Sequence, residues 1–127
     1  MALSIEDKFE LQDIMGRYCH LMDDGDAAWA DLFTEDGILA GALPDPVIGR
    51  DALRKLPGQV MGRSDGFYRH LLGSVVIDDA GENAAMVRVY NLVTDWREGG
   101  NLLRFSRASI DAVKTAEGWR LQRVQAY

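Results

Sequence analysis

The sequence contains little of what several classes of protein require. One cysteine among 127 residues cannot form an intramolecular disulfide, and two histidines without matching ligand residues are too few for a closed metal site. Acids outnumber Lys and Arg by 20 to 14, which gives a net charge of −6. No basic cluster is dense enough to follow a phosphate backbone. We therefore expect neither a metal ion nor a nucleic acid as a partner.

Long hydrophobic runs are also missing. No segment approaches the roughly 20 apolar residues of a membrane helix. The acidic segment 1–13 has no apolar run of signal-peptide length. We therefore expect a cytoplasmic protein without a membrane partner. The length is typical of one domain, so residues 1–127 are predicted to form a single domain.

The common cofactor and nucleophile motifs are absent. The sequence has no Gly-rich phosphate loop, no G-x-S-x-G, no paired C-x-x-C and no H-E-x-x-H. We therefore predict no cofactor, and any chemistry must come from ordinary side chains.

The first half of the sequence is typical of helices. Ser4 and Asp7 resemble a capping box, and apolar residues then recur at three- and four-residue steps up to Met22, so a helix should end near 23–25. Asp26 is predicted to cap a short helix over 27–32. A turn is expected at 33–37, a first strand at 37–40 and a very short strand at 47–48. A helix should follow from Gly49, with Pro57 kinking or ending it, and a polar connection at 62–66.

The second half is typical of strands. Four β-like runs, 67–78, 84–96, 102–114 and 119–127, are separated by short turns that contain glycine. Such turns join adjacent strands, which predicts an antiparallel meander. Neither face of the run 84–96 is cleanly polar, so helices are expected to cover one face and a partner chain the other. Helices followed by strands indicate an α+β fold with a curved sheet around the helices.

One histidine is the sharpest candidate for chemistry. His70 lies near the start of a strand between apolar residues, and an imidazole in an apolar pocket needs a partner. Asp23 closes the apolar face of the first helix and is the acid best placed to supply one. Such a pair can transfer protons, with Tyr18 donating a hydrogen bond to a carbonyl or a leaving hydroxyl. The alternative is a structural histidine whose hydrogen bonds are merely satisfied.

Other polar residues have simpler interpretations. Cys19 is expected to be a buried thiol, and His20 to make a surface contact with Asp23. Arginines on strands are usually solvated or ion-paired, but one that faced a pocket would bind an anionic substrate group. The candidates are Arg88, Arg104, Arg107, Arg120 and Arg123, with Asn91, Asp95 and Ser106 as weaker polar candidates.

The order of several short motifs resembles the SnoaL-like branch of the nuclear-transport-factor-2-like superfamily. The motifs are Leu11–Gln12–Asp13–Ile14, Tyr18-x4-Asp23, Leu32–Phe33–Thr34–Glu35–Asp36, Gly49–Arg50–Asp51–Ala52, Arg69–His70 and Gly118–Trp119–Arg120. The resemblance covers nearly the whole chain. It implies a cone-shaped barrel, in which a strongly bent mixed or antiparallel sheet wraps round N-terminal helices and encloses a deep pocket.

The resemblance also implies a site and a reaction. In similar dehydratases an Asp at the end of the first helix pairs with a His on the long strand after the third helix, and the matching positions are Asp23 and His70. Tyr18 matches the tyrosine of the bile-acid dehydratase type. Scytalone dehydratase has a second pocket histidine on a strand, which this chain lacks, since its other histidine is His20. The shared chemistry is elimination without a cofactor.

We therefore predict a dehydratase-type lyase acting on a small hydrophobic cyclic molecule, with His70, Asp23 and Tyr18 as catalytic residues. An isomerase or cyclase using the same pair is the nearest alternative. A non-catalytic subunit or ligand-binding module, like the β subunits of ring-hydroxylating dioxygenases, is an alternative of another class. Self-association as a dimer or trimer is expected. The predicted apolar pocket lining is Met15, Met22, Trp29, Leu72 and Met86.

Overall fold

A computed structural model describes residues 2–127; Met1, which the predicted domain includes, lies outside the described residues. The chain begins with helix α1, Ile5–Asp23. The Ser4 hydroxyl accepts the backbone N–H of Asp7, and the Asp7 carboxylate accepts the backbone N–H of Ser4, which is the predicted capping box. The buried side chains follow the predicted apolar stripe: Leu11, Ile14, Met15, Tyr18, Cys19 and Met22.

The end of α1 is a tight turn. Gly25 has a φ of +68°, and a Cβ at this position would lie 3.0 Å from the Cβ of Met61, so glycine suits both the backbone and the space. Asp26 then accepts the backbone N–H of Ala28 and caps a 3₁₀ helix over Ala27–Leu32, as predicted. The turn directs the chain back along α1.

Strand β1 is longer than the sequence predicted. It spans Phe33–Ala40, so the turn expected at 33–37 is wrong. The reason is an irregularity in its pairing with the last strand, because the six residues of β1 from Phe33 to Ile38 lie opposite only three residues, Leu121 to Arg123. Within this interval the Thr34 hydroxyl donates to Asp36, a local contact that makes the segment resemble a turn in sequence.

Two short helices follow the short strand β2, Val47–Ile48. Helix α2 covers Arg50–Leu53 and helix α3 covers Leu56–Ser64. Pro57 lies in the first turn of α3, where its missing N–H is not needed, so it begins a helix rather than ending one. The polar connection expected at 62–66 is wrong in its first part, because α3 continues to Ser64 on a face buried through Leu56 and Val60.

Four long strands complete the chain: β3, Tyr68–Asp79; β4, Ala84–Asp95; β5, Asn101–Thr115; and β6, Gly118–Ala126, with a 3₁₀ turn at Arg97–Gly99 before β5. The strand order is β2-β1-β6-β5-β4-β3. The meander of β3 to β6 is antiparallel as predicted, whereas β1 runs parallel to β6. The fold is therefore α+β with a mixed sheet, and the sheet stays open at β2 and β3 instead of closing into a barrel.

Strand β3 contains a bulge of its own. Gly73 pairs with Tyr90 and Val76 with Arg88, so β3 has one residue more than β4 over this interval. Ser74 has a φ of +50°, in the left-handed region. Such a bulge bends a strand and increases its twist, which here curves the sheet around α1.

The two faces of the sheet differ in their cover. The inner face packs against α1, α3 and the first 3₁₀ helix in one hydrophobic core, whose largest fully buried side chains include Trp29, Trp119 and Phe33. The outer face of β3, β4 and β5 keeps several large apolar side chains in solvent: Leu71, Val76, Tyr90 and Phe105. No helix within residues 2–127 combines the length and the apolar character that crossing a membrane demands.

Candidate active site

A cavity of about 250 Å³ lies between the inner face of the sheet and the helices. Helices α1 and α3 form one wall, strands β3, β4 and β5 form the opposite wall, and the segment after β1 closes one side. Its lining is mainly apolar with a few polar groups, as in most ligand sites. The lining residues are Tyr18, Met22, Leu39, Ala42, Leu43, Leu56, Val60, Arg63, Tyr68, His70, Asn91, Val93, Leu103 and Arg104.

Asp23 and His70 are in direct contact at the wall of this cavity. The Nδ1 of His70 lies 2.6 Å from the Oδ1 of Asp23, and the backbone N–H of His70 donates to both carboxylate oxygens at 3.2 and 3.0 Å. Both side chains are largely buried, at 16 % and 10 % exposed. Because a carboxylate only accepts hydrogen bonds, Nδ1 carries the proton. In the neutral imidazole Nε2 is then the basic nitrogen.

Tyr18 lies one and a half turns before Asp23 on α1 and lines the same cavity. Its ring packs against Trp29 and Phe33, with centroids 5.3 and 6.3 Å away. Within residues 2–127 its hydroxyl makes no hydrogen bond. Burial raises the pKa of the Tyr18 phenol above its ordinary value of 10.0, so the group stays protonated and can donate to a ligand.

A small inner lobe of about 30 Å³ extends the cavity beneath the sheet. Leu72 lines the inner lobe but not the main cavity. The two spaces share four lining residues: Tyr18, Leu39, Ala42 and Asn91. Asn91 is opposite Ser106 in the β4–β5 ladder, and neither the Oδ1 of Asn91 nor the Oγ of Ser106 has a hydrogen-bond partner in the described part of the chain. The floor of the cavity, where it meets the inner lobe, therefore offers one unpartnered polar atom, the Oδ1 of Asn91, among mainly apolar side chains.

Arg104 supplies a positive charge to the cavity wall. Its guanidinium donates to the carbonyls of Gly41 and Ala42 at 2.9 and 3.0 Å, which fastens the segment after β1 to β5. Gly41 has a φ of +84°, and a Cβ there would lie 2.0 Å from the carbonyl oxygen of Ala126. Only glycine allows this close approach, so the two carbonyls are held in place for Arg104.

The structure brings together the three residues predicted to be catalytic, Tyr18, Asp23 and His70, but only two of the five residues predicted to line the pocket. Met22 lines the cavity together with Tyr18 and His70, and Leu72 lines its inner lobe. Met15 and Trp29 do not line it, because they face the core on the buried side of α1 and of the 3₁₀ helix. Met86 does not line it either, because it alternates along β4 with Val87, which is fully buried in the core.

Of the other polar residues considered in the sequence, Cys19 lies as predicted and His20 does not. Cys19 is buried as expected, and burial raises the pKa of its thiol to about 11. His20 is exposed, but within residues 2–127 it forms no hydrogen bond or ion pair with Asp23, whose carboxylate is bonded to His70. In the same part of the chain no three His, Cys, Asp or Glu side chains are placed to hold a metal ion.

Sequence reasoning missed most of the cavity wall that comes from outside α1. Leu56, Val60 and Arg63 of α3 line it, as do Leu39 and Leu43 around the end of β1. The i, i+4 spacing of Leu56 and Val60 is a signal for an inward helix face. The loop residues carry no such signal, since their position depends on the contact with Arg104.

Comparison with protein families adds an identification to this geometry. Residues 3–125 match the model of the SnoaL-like domain. The chain belongs to the SnoaL-like family. The predicted resemblance is thereby confirmed, and its α+β cone-like fold agrees with the mixed sheet and N-terminal helices described above.

Solved structures agree with the SnoaL-like fold. One neighbour is an NTF2-like protein with a cystatin-like fold from Novosphingobium aromaticivorans, with a TM-score of 0.88, 28 % identity and coverage of 96 % of this chain and 81 % of that chain. A protein from Catenulispora acidiphila in complex with S-DNPA has a TM-score of 0.74, 25 % identity and coverage of 94 % and 92 %. A proposed scytalone dehydratase from Novosphingobium aromaticivorans has a TM-score of 0.76, 24 % identity and coverage of 91 % and 79 %. The comparison with curated proteins found no match.

Proposed function

We propose that this SnoaL-like chain acts as a single-domain, cofactor-independent lyase that dehydrates a small hydrophobic cyclic substrate. The observation that carries the proposal is the contact between Asp23 and His70 at the wall of a mainly apolar cavity. A basic Nε2 and a protonated phenol that line the same cavity are suited to removing a proton from carbon while assisting a leaving oxygen. The relative bound to S-DNPA supports a small molecule as the ligand.

The proposed reaction assigns one role to each group. His70 Nε2 takes a proton from a carbon that a neighbouring carbonyl activates, and the electrons of that C–H bond form the new C=C bond. The C–O bond breaks, and the departing hydroxyl, which accepts a hydrogen bond from Tyr18, receives the proton from Nε2 and leaves as water. Asp23 holds the Nδ1–H throughout and stabilises the charged imidazole.

The cavity volume limits the substrate. About 250 Å³ lies just below the roughly 300–1,000 Å³ of pockets that hold drug-sized ligands, so a molecule of one or two rings fits better than a larger polycycle. Apolar side chains such as Leu56, Val60 and Val93 would contact the ring, and Asn91 would contact a polar substituent at the floor.

A screen of cyclic β-hydroxy carbonyl compounds tests the proposal, because elimination creates a conjugated alkene that absorbs in the ultraviolet. Loss of a general base lowers kcat by roughly 10²–10⁴-fold, which is the effect expected for His70→Asn. His20→Asn is the matched control, since His20 is exposed on α1. Equal turnover by His70→Asn and His20→Asn would sink the dyad mechanism. A shifted double bond without loss of water would identify an isomerase, and tight binding without turnover would identify a ligand-binding module.

We also propose self-association through the outer face of the sheet. Leu71, Leu92 and Phe105 lie in one row across β3, β4 and β5, and Leu71 and Phe105 are 55 % and 63 % exposed. Contiguous apolar surface of this kind is typical of interaction sites. A second copy of the chain would bury this row without covering the cavity, which lies on the inner face.

A further inference from the structure

The cavity has an unbalanced charge. It is lined by two arginines, Arg63 and Arg104, and by no Asp or Glu among the described residues. Within residues 2–127 neither guanidinium forms an ion pair. Two arginines on strands behave differently, because Arg88 forms an ion pair with Asp78 and Arg120 with Glu117. The Asp23 carboxylate is not among the lining residues and is bonded to His70, so the two arginines are the charged groups that line the cavity in a chain of net charge −6, and they favour an anionic ligand.

The guanidinium of Arg104 has N–H groups that its two carbonyl contacts do not use. A guanidinium has five N–H groups, and the carbonyls of Gly41 and Ala42 take two of them. These carbonyls fix the orientation of the side chain but do not neutralise its charge. Three N–H groups therefore remain in a planar arrangement that matches a carboxylate.

The position of Arg104 relates it to the proposed catalytic groups. Val93 on β4 pairs with His70 on one side and with Arg104 on the other, so the three residues form one row across the sheet. Neighbouring strands are about 4.8 Å apart, which places the His70 and Arg104 backbones roughly 10 Å from each other. Arg104 also lies close enough to Tyr18 for its positive charge to act on the phenol, where it opposes the rise in pKa that burial causes.

We propose that the substrate is a ring-bearing carboxylic acid whose carboxylate binds Arg104, with Arg63 adding positive charge at the mouth of the cavity. This inference rests on the proposed function and names the substrate class of the same site. With the carboxylate on Arg104, one or two rings span the row and place the reacting carbon near Nε2 of His70. Arg63 is exposed on α3, so it attracts the acid without being buried by it.

Matched acid and amide probes test the inference without turnover. Benzoate is compared with benzamide, and 2-naphthoate with 2-naphthamide, by titration followed in ¹H–¹⁵N NMR spectra. A hydrogen bond to a charged group contributes about 1.5–3 kcal/mol, so the wild type should bind the acid roughly 10- to 100-fold more tightly than its amide. The preference should decrease as salt is raised, because the mouth of the cavity is open to solvent.

Substitutions of the two arginines test whether the preference for acids over amides arises in the cavity. Arg104→Gln should reduce the ratio of acid to amide affinity to about one, Arg104→Lys should keep part of it, and Arg63→Gln should lower it by a smaller factor. Using a ratio removes any effect of a loosened segment at Gly41 and Ala42, since that effect weakens both probes alike. Arg107→Gln is the control, because Arg107 is exposed on β5 and stacks on Tyr127.

The two proposals fail in different ways. Equal affinity for acid and amide, absence of binding by all four probes, or a preference that survives in Arg104→Gln each overturns the carboxylate site. His70-dependent elimination of a neutral compound would still support the lyase. Conversely, His70→Asn should keep the preference for acids, so a selective but inactive protein would remove the lyase and leave the carboxylate site.

Discussion

The Asp23 carboxylate accepts hydrogen bonds from both the backbone N–H and the side chain of His70. One acid therefore orients the imidazole and also anchors the start of β3 to the end of α1. This double role means that the chemistry and the local stability of the site depend on the same side chain.

Replacing Asp23 should destabilise the fold. Asp23→Ala leaves the largely buried N–H of His70 without an acceptor, which costs about 1–3 kcal/mol, whereas Asp23→Asn keeps one acceptor oxygen and should cost less. Urea unfolding followed by circular dichroism measures the difference. Asp24→Ala is the control, because the side chain of Asp24 is exposed. Equal unfolding midpoints for Asp23→Ala and Asp24→Ala would contradict the anchoring role.

The N-terminus of α1 should give the fold a defined sensitivity to acid. Hydrogen bonds from Lys114 and Trp119 hold the pKa of Asp7 well below its ordinary value of 3.8. Because the pKa is lower in the folded state, the ionised Asp7 stabilises the protein fully above about pH 5, and this contribution is lost as the pH falls through the folded pKa.

The melting temperatures of wild type and Asp7→Asn should therefore differ most at neutral pH and converge as the pH is lowered from 5 toward 2. Glu6→Gln is the control, because Glu6 is an exposed acid in the same first turn. A gap between wild type and Asp7→Asn that stays constant from pH 6 to pH 2 would show that the contacts of Asp7 do not depend on its charge.

The single cysteine should be almost unreactive in the native protein. With a pKa raised by burial to about 11, roughly one Cys19 thiol in a thousand is ionised at pH 8, and the side chain is 7 % exposed. Labelling with a chromogenic disulfide reagent should be slow in buffer and rapid in guanidinium, where one thiol per chain reacts. Equal rates in the two solvents would mean that Cys19 is accessible in the folded state.

A charge on the outer face of the sheet should separate an oligomer. Phe105→Glu places a carboxylate in the apolar row with Leu71 and Leu92, where burial against a second copy would be costly. Light scattering coupled to gel filtration should give a dimer or trimer for wild type and a monomer for Phe105→Glu. Phe9→Glu is the control, since Phe9 is 75 % exposed on α1. A monomeric wild type at high concentration would rule out this interface.

Two tryptophans should differ strongly in their contribution to stability. Trp29 is fully buried and its ring lies 4.9 Å from that of Phe33, so Trp29→Ala should cost about 3–5 kcal/mol. Trp96 is 59 % exposed, and Trp96→Ala should change the free energy of unfolding by about 0.5 kcal/mol or less. Similar losses from the two substitutions would indicate that Trp29 is less tightly packed than its position implies.

The sequence predicted correctly those elements whose stabilising contacts join residues close together in the chain. The capping box at Ser4, the cap at Asp26 and the short turns between strands are recognisable because the residues that form them are close in sequence. The errors lie where distant contacts decide. The segment from Phe33 to Gly37 resembles a turn, yet its pairing with β6, a strand far along the chain, makes it a bulged strand.

The candidate site was predictable only in part for the same reason. Asp23 and His70 could be paired from motif order, although 47 residues separate them. The lining of the cavity depends on the register of β3, β4 and β5, which no local signal specifies. Arg104 was one of five candidate arginines, and its place in the cavity wall, in one row with Val93 and His70, distinguishes it from the other four.

The bulge at Ser74 has a consequence for how this strand can change in evolution. Side chains alternate along a strand, so the extra residue lets His70 and Leu72 before the bulge face inward together with Val75 and Ile77 after it. Deleting Ser74 would leave these four side chains in regular alternation on the inner face, but it would remove the bulge and with it the added bend and twist of β3. The curvature of the sheet at this point can therefore be lost through a one-residue deletion that turns neither half of the strand over.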